Sequence, residues 1–364
     1  MFFDLLREAM WGCGVRPELY EGAGAAEWQI VLDTAVRQTV TGHIFDALSA
    51  LPAGMMPPRD VRMKLLIHTD NIERFSARAA KVTAEVAAMY AREGLDCVLL
   101  KGLAAAAAYP VPEHRIQGDV DFYFPAGECE RAQKLLFGGR TDNMSHDERH
   151  YHETYRGILV ENHSELTHFP GDRYAGLERD LNAMLKERMT LEIDGMSVAT
   201  PSPEFNVLFM LEHAAFHLPD VGLGLRHLCD WARQLWFYRD KIDRDRVAGV
   251  IRRYGFGRVA NAFGLICVQR LGMPEELFPG ELSRSRRARR DADYVLRVIM
   301  DGGNFGRHFG IMKSSQRHWK LARWPKKVVS LLVFLRNRRK YRIVGDGLFG
   351  TIFRENLKRT FSGR

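Results

Sequence analysis

What most constrains this 364-residue chain is a change of period. Up to Gly94 apolar residues recur three and four apart; from Leu95 the pattern shortens to strand-length pieces set off by Gly and Pro; from Pro203 the helical period returns. Residues 28–50 and 59–93 read as helices, the second stopped by Gly94. CVLL (97–100) reads as a strand, Lys101-Gly102 as a turn, and LAAAAAY (103–109) as a helix ended by Pro110 and Pro112. DVDFYF (119–124), bounded by Gly118 and Pro125, is a second strand; a helix over 127–137 and a third strand, ILVENHSEL (158–166), follow. Helical patterns resume in EFNVLFMLEHAAFHL, LRHLCDWARQLWFYRDK, 244–271 and 283–300, and a basic amphipathic helix is expected over 315–340. The expected fold is α+β: a small mixed sheet set between helical segments. The expected divisions are a helical region (1–94), a core with the sheet (95–200), a helical domain (201–312) and a tail (313–364).

Hydrophobic residues at 46% and charged residues at 27% exclude a disordered chain. The five cysteines are odd in number, scattered and without a CxxC pair, which argues against a disulfide framework or zinc ribbon and suits a reducing cytoplasm. The opening MFFDLLREAMWG carries Asp4, Arg7 and Glu8 inside its apolar stretch, so no secretory leader is expected. The apolar run Val328 to Leu335 falls well short of the roughly 20 residues a spanning helix needs, so no transmembrane segment is expected. The net charge of +8 is uneven: residues 313–364 hold 15 Lys plus Arg against two acids, leaving −5 for the rest. Such a tail suits a nucleic acid or an anionic membrane surface, or is a solvated basic face. Trp319 and Trp324, interleaved with Lys320, Arg323, Lys326 and Lys327, fit base stacking, an interfacial helix, or a helix docked on the body. The tail from Lys313 is expected to supply an electrostatic surface separable from catalysis.

Asp119 and Asp121 are the strongest chemical signal. In a strand, residues two apart share a face, so the two carboxylates lie side by side while Val120 and Phe122 point into the core. Paired anions need a cation between them, and a hard divalent metal is the natural one; exposed carboxylates on an edge strand are the other reading. Glu161 and His163 share a face of the next strand and offer a third carboxylate. Lys101-Gly102 stands at a strand-to-helix turn, where a helix N-terminus favours phosphate.

The order VLLKGLA, RIQGDVDFYF, LVENHSEL resembles the nucleotidyltransferase superfamily of the DNA polymerase β type. That superfamily has a Gly-containing turn, an hDxD strand and a later acidic residue. More closely, the chain resembles the bacterial family of uncharacterised nucleotidyltransferases, which reads approximately KG, then RxxGDxD, then vExH, over about 25–240. The resemblance implies an enzyme that transfers a nucleoside monophosphate from a nucleoside triphosphate such as ATP to a hydroxyl acceptor. It also implies a two-metal Mg²⁺ site, with Mn²⁺ as a substitute. Asp119, Asp121 and Glu161 would be the catalytic and metal-binding residues, and Lys101, Gly102, Arg115 and Gly118 the nucleotide-binding ones. Arg115 is equally compatible with pairing to a nearby acid. One departure is Leu103, which follows Gly102 where the superfamily usually has Ser or Gly. A catalytically idle relative that binds nucleotide, with the tail on nucleic acid or membrane, is the alternative function.

His213 and His217 are one helical turn apart, and Arg226 and Asp230 repeat that spacing on the next helix. Without the glutamate of HExxH, a zinc site is not expected. By the same resemblance, His213, His217, Arg226 and Asp230 would line the cleft opposite the sheet, where acceptor or nucleotide would sit, and His163 would border it; a buried network joining two helices is the other reading. SHDERHYHETY, with His146, His150 and His152, reads as a polar loop over the site, and SRSRRARR (283–290) as a solvated helix face.

Overall fold

Long stretches of Ala, Leu, Arg and Glu make the first part of the chain helical. The computed structural model describes residues 1–125, 127–138, 150–167, 169, 172–219, 222–304, 334–345 and 348–353. Helices α1 (Phe2–Trp11), α2 (Ala25–Gln38), α3 (Thr41–Asp46) and α4 (Arg59–Arg92) come first. The single helix expected over 28–50 is broken at Thr39, whose φ of 56° closes α2 in the left-handed region. Strand β1 (Val98–Leu100), helix α5 (Gly102–Ala106), strand β2 (Val120–Tyr123), helix α6 (Glu128–Phe137), and strands β3 (His150–Tyr155) and β4 (Ile158–His163) follow. Helix α7 (Asp172–Met184), hairpin β5 (Arg188–Ile193) and β6 (Met196–Pro201), and helices α8 (Pro203–His217), α9 (Leu225–Phe237), α10 (Arg244–Tyr254), α11 (Gly257–Ile266), α12 (Arg286–Gly302) and α13 (Arg338–Val344) complete the described chain.

The four-stranded sheet has the order β1-β2-β4-β3, with β2 and β4 parallel and the outer pairs antiparallel. It is mixed, and the fold is α+β. One face carries Leu99, Val120, Phe122, Ile158 and Val160 into a core closed by α4 and α6, where Tyr90 stands edge-on to Phe122. Each such fully buried side chain contributes about 1.5–3 kcal/mol. On the other face Val98, Leu100 and Tyr123 belong to a larger core that runs from Leu5 in α1 to Leu348.

Three expectations change. Residues 150–155 form the edge strand β3 and not a loop; the chain turns back through Arg156-Gly157, both at positive φ, to pair with β4. The β5-β6 hairpin turns at Asp194-Gly195, with φ of 48° and 76°, the Asp-Gly pair that a tight hairpin favours. The helix expected over 244–271 is interrupted at Gly255, the left-handed C-cap of α10. His146, Trp319, Trp324, Lys320, Arg323, Lys326 and Lys327 lie outside the described residues, as does most of the tail. The part described, around α13, buries Phe334, Tyr341, Ile343, Val344 and Leu348 in the larger core, as in the docked-helix reading. No helix among the described residues is long and apolar enough to cross a membrane.

The loop from α5 to β2 is fastened by His114. Its Nδ1 bonds Asp46 at the end of α3, and its Nε2 bonds Glu73 on α4 at 2.7 Å. The Asp46 bond, opposed by burial and helped by Glu73, lifts the imidazole to about 9. A raised histidine stabilises the fold fully below its unfolded value of roughly 6.5, and that contribution fades as pH rises through about 9. We expect His114→Gln to cost on the order of 2 kcal/mol at pH 6, with half-exposed Glu73 screened by solvent, and the gap from wild type to close by pH 10. Urea denaturation at both pH values reads it; a pH-independent gap would mean that His114 acts through shape alone.

Candidate functional site

Register assembles the site. Parallel pairing sets Asp121 opposite Glu161 and Tyr123 opposite His163, so the period of two brings Asp119, Asp121, Glu161 and His163 to one face. On the reverse face Asn162 is held by the Tyr90 hydroxyl at 2.9 Å and by Gln133 at 3.2 Å, which pins β4. Asp121, Glu161 and His163 each offer a ligand atom within 4.8 Å of the others. Asp119, one residue before β2, stands outside that set but lines the same cavity.

Two cations balance these carboxylates. Lys101 Nζ lies 3.0 Å from Asp121 Oδ1, and His163 Nε2 lies 2.8 Å from the same oxygen and 3.5 Å from Glu161 Oε2. Burial alone would raise the Asp121 carboxyl; Lys101 and the His163 bond outweigh it and hold it below the usual range. Burial likewise opposes a charged His163, yet its bonds to Asp121 and Glu161 lift it to about 9. Glu161 is lowered, against its burial, chiefly by its bond to His163. Asp121 Oδ2 is buried without a hydrogen-bond partner. That leaves one buried carboxylate oxygen unsatisfied.

Lys101 holds φ 47° and ψ −140°, a backbone conformation costly for a residue with a side chain. Gly102 follows at φ 41°; a Cβ there would meet only ordinary contacts, the nearest 3.5 Å away, so the dihedral and not the space favours glycine. A Cβ on Gly118 would meet nothing within 4 Å. The helix after Gly102 is five residues long, too short to supply much dipole to a phosphate.

Arg115 is taken up by an acid: Nε and Nη2 bond Asp230 Oδ1 and Oδ2 at 2.9 and 2.7 Å, and Nη1 donates to Gln117 Oε1 at 3.0 Å. Tyr109 donates to Asp230 Oδ1 at 2.8 Å. Burial would raise the Asp230 carboxyl, but Arg115 beside it holds it down at about 2. His213 and His217 pack edge to face, with ring centroids 4.4 Å apart.

A cavity of about 620 Å³ gathers Lys101, Gly102, Arg115, Gly118, Asp119, Glu161, His163, His213, His217 and Asp230. Its wall also includes Arg226, expected there, and Thr39, Gln117, Met210, Phe216, His227 and Asn304, which sequence reasoning did not assign to a site. Thr39 and Asn304 lie just past the ends of two distant helices and carry no local signal; His227 adjoins Arg226 on α9. A second cavity of about 630 Å³, lined by Phe45, Met56, Met63 and Leu66 among others, is equally large but has no carboxylate cluster. Chemistry, not volume, distinguishes the two.

Residues 24–272 match the family described as uncharacterised nucleotidyltransferase. The chain belongs to that family. A solved structure, the antigenic nucleotidyltransferase-like protein from Paracoccidioides brasiliensis, is similar at 13% identity over 50% of this chain and 88% of its own. Its TM-score of 0.28 is too low to bear on shared architecture. No curated protein matches the sequence.

The site separates residues that hold the fold from one free to act. Asp119 makes no hydrogen bond or ion pair with the described residues, whereas Asp230 is the counter-ion of a buried guanidinium. Asp230→Ala is expected to cost about 3–5 kcal/mol, and Asp119→Asn to stay within about 0.5 kcal/mol of wild type. Equilibrium denaturation of both variants checks this, and a large loss in Asp119→Asn would make that carboxylate part of the scaffold.

Proposed function

We propose that this nucleotidyltransferase family member is an active, divalent-cation-dependent enzyme that moves a nucleoside monophosphate from a nucleoside triphosphate to a hydroxyl acceptor. The observation that carries the reading is a buried Asp121 oxygen without a hydrogen-bond partner, next to Glu161 and His163, which with Asp119 line a large cavity. The donor set fits a hard cation: carboxylate oxygens from Asp119, Asp121 and Glu161 would hold Mg²⁺ or Mn²⁺. His163, charged and bonded to two of these acids, orients them more readily than it ligates. When bound, the metal neutralises charge on the phosphate chain and favours ionisation of the acceptor hydroxyl.

The remaining work falls to this chain's residues. Glu161, more accessible than Asp121, accepts the proton of the attacking hydroxyl. The acceptor oxygen bonds to the α-phosphorus as the bond to the β-phosphate oxygen breaks, and pyrophosphate leaves. Lys101 Nζ keeps a fixed positive charge beside Asp121, and the helical wall of His213, His217 and Asp230 faces the acceptor space. Positioning and fixed charge supply most of the acceleration expected of such a site.

The test incubates the full chain with each α-labelled nucleoside triphosphate, Mg²⁺ or Mn²⁺, and a lysate of the source cells. Label should pass to an acceptor, and Asp119→Asn, Asp121→Asn or Glu161→Gln should cut transfer by about 100-fold or more. Equal labelling by wild type and all three variants would refute the assignment.

A further inference from the structure

A buried guanidinium without a counter-anion is a costly arrangement. Arg226, in the first turn of α9, is only 8% exposed. Its Nη1 donates to the carbonyl of Ile116. Its Nε is buried without a partner, and Nη2 bonds to no described residue. Asp230, one turn further along α9, gives both carboxylate oxygens to Arg115 and forms no ion pair with Arg226. The other buried arginines differ: Arg115 has that carboxylate, and Arg233 donates to the carbonyls of Ala108 and Met10. Arg226 therefore keeps unspent the Nε and Nη2 edge that Arg115 uses as a fork, and it lines the cavity.

The bond to Ile116 holds this guanidinium against the chain three residues before Asp119, and both residues line the same cavity. Burial and the neighbouring Arg115 disfavour its charge, and Asp230 and Asp119 offset them only in part. A further anion bonded to the guanidinium would stabilise it. We infer that Arg226 is an oxyanion site that takes a phosphate oxygen of the nucleotide's polyphosphate chain through its Nε and Nη2 edge. This rests on the nucleotidyltransferase reading above. A polyphosphate is favoured over a lone carboxylate because it can meet the acidic face through a divalent cation and the arginine through a second, still anionic, oxygen.

The experiment uses the full chain, Mg²⁺ and inorganic tripolyphosphate, with binding followed by calorimetry and the ligand-free melting temperature by fluorescence. Arg226→Met should melt no lower than wild type, since it removes a buried unpaired charge, and should bind Mg²⁺-tripolyphosphate about 10- to 100-fold more weakly. Arg226→Lys, which keeps the charge without the fork, should fall between the two. Unchanged affinity in Arg226→Met while wild type binds would overturn this inference and leave the enzyme reading standing. Wild type that binds neither Mg²⁺-tripolyphosphate nor Mg²⁺ with nucleoside triphosphate would overturn both.

Discussion

The bidentate pair between Arg115 and Asp230 is the constraint on which the cavity depends. Its two charges are buried, and neither is tolerable alone; the pair is worth little against apolar residues of equal size, but losing one member leaves an uncompensated ion. What the pair secures is position. It fastens the loop entering β2 to α9, and Tyr109, stacked on His43 at 4.6 Å, extends the contact to α3. The preceding residue, His114, reaches the other way to Asp46 and Glu73. Two consecutive side chains thus tie one loop to three helices, and Asp119 enters the cavity from a fixed base.

The acidic face is governed by charge balance. Three carboxylates on adjacent strands would repel, and Lys101 and His163 supply two positive charges against them. If the proposed divalent cation binds here, it would compete with the Lys101 ammonium for Asp121, linking metal affinity to the position of that lysine. The strained backbone at Lys101 belongs to the same balance: the turn that begins α5 directs Nζ onto Asp121 and past the Phe209 ring, 6.0 Å from its centroid. The ion pair offsets part of the conformational cost.

Much of this was legible in the sequence because strand period is a local property. Asp119 and Asp121, then Glu161 and His163, announce two faces two residues at a time, and the helix-strand-helix succession announces the α+β class. The parallel pairing of β2 with β4 is not local; it sets Asp121 against Glu161, and one residue of slip would have turned Asn162 toward the acidic face. β3 was read as a loop because a polar edge strand, His150 to Tyr155, lacks the apolar alternation of a buried one. The β5-β6 hairpin had a signal, Asp194-Gly195 between alternating residues, that went unused.

Arg226 shows where spacing misleads. An arginine and an aspartate four apart on a helix are ordinarily partners, and the sequence LRHLCD invites that pairing. In the fold, Asp230 faces Arg115 from a loop more than a hundred residues upstream, since a planar fork meets a carboxylate better than a neighbour on the same helix can. Satisfying one arginine leaves the other without an acid. The unpaired charge on the cavity wall therefore follows from a competition between a local and a distant partner, which helical periodicity does not register.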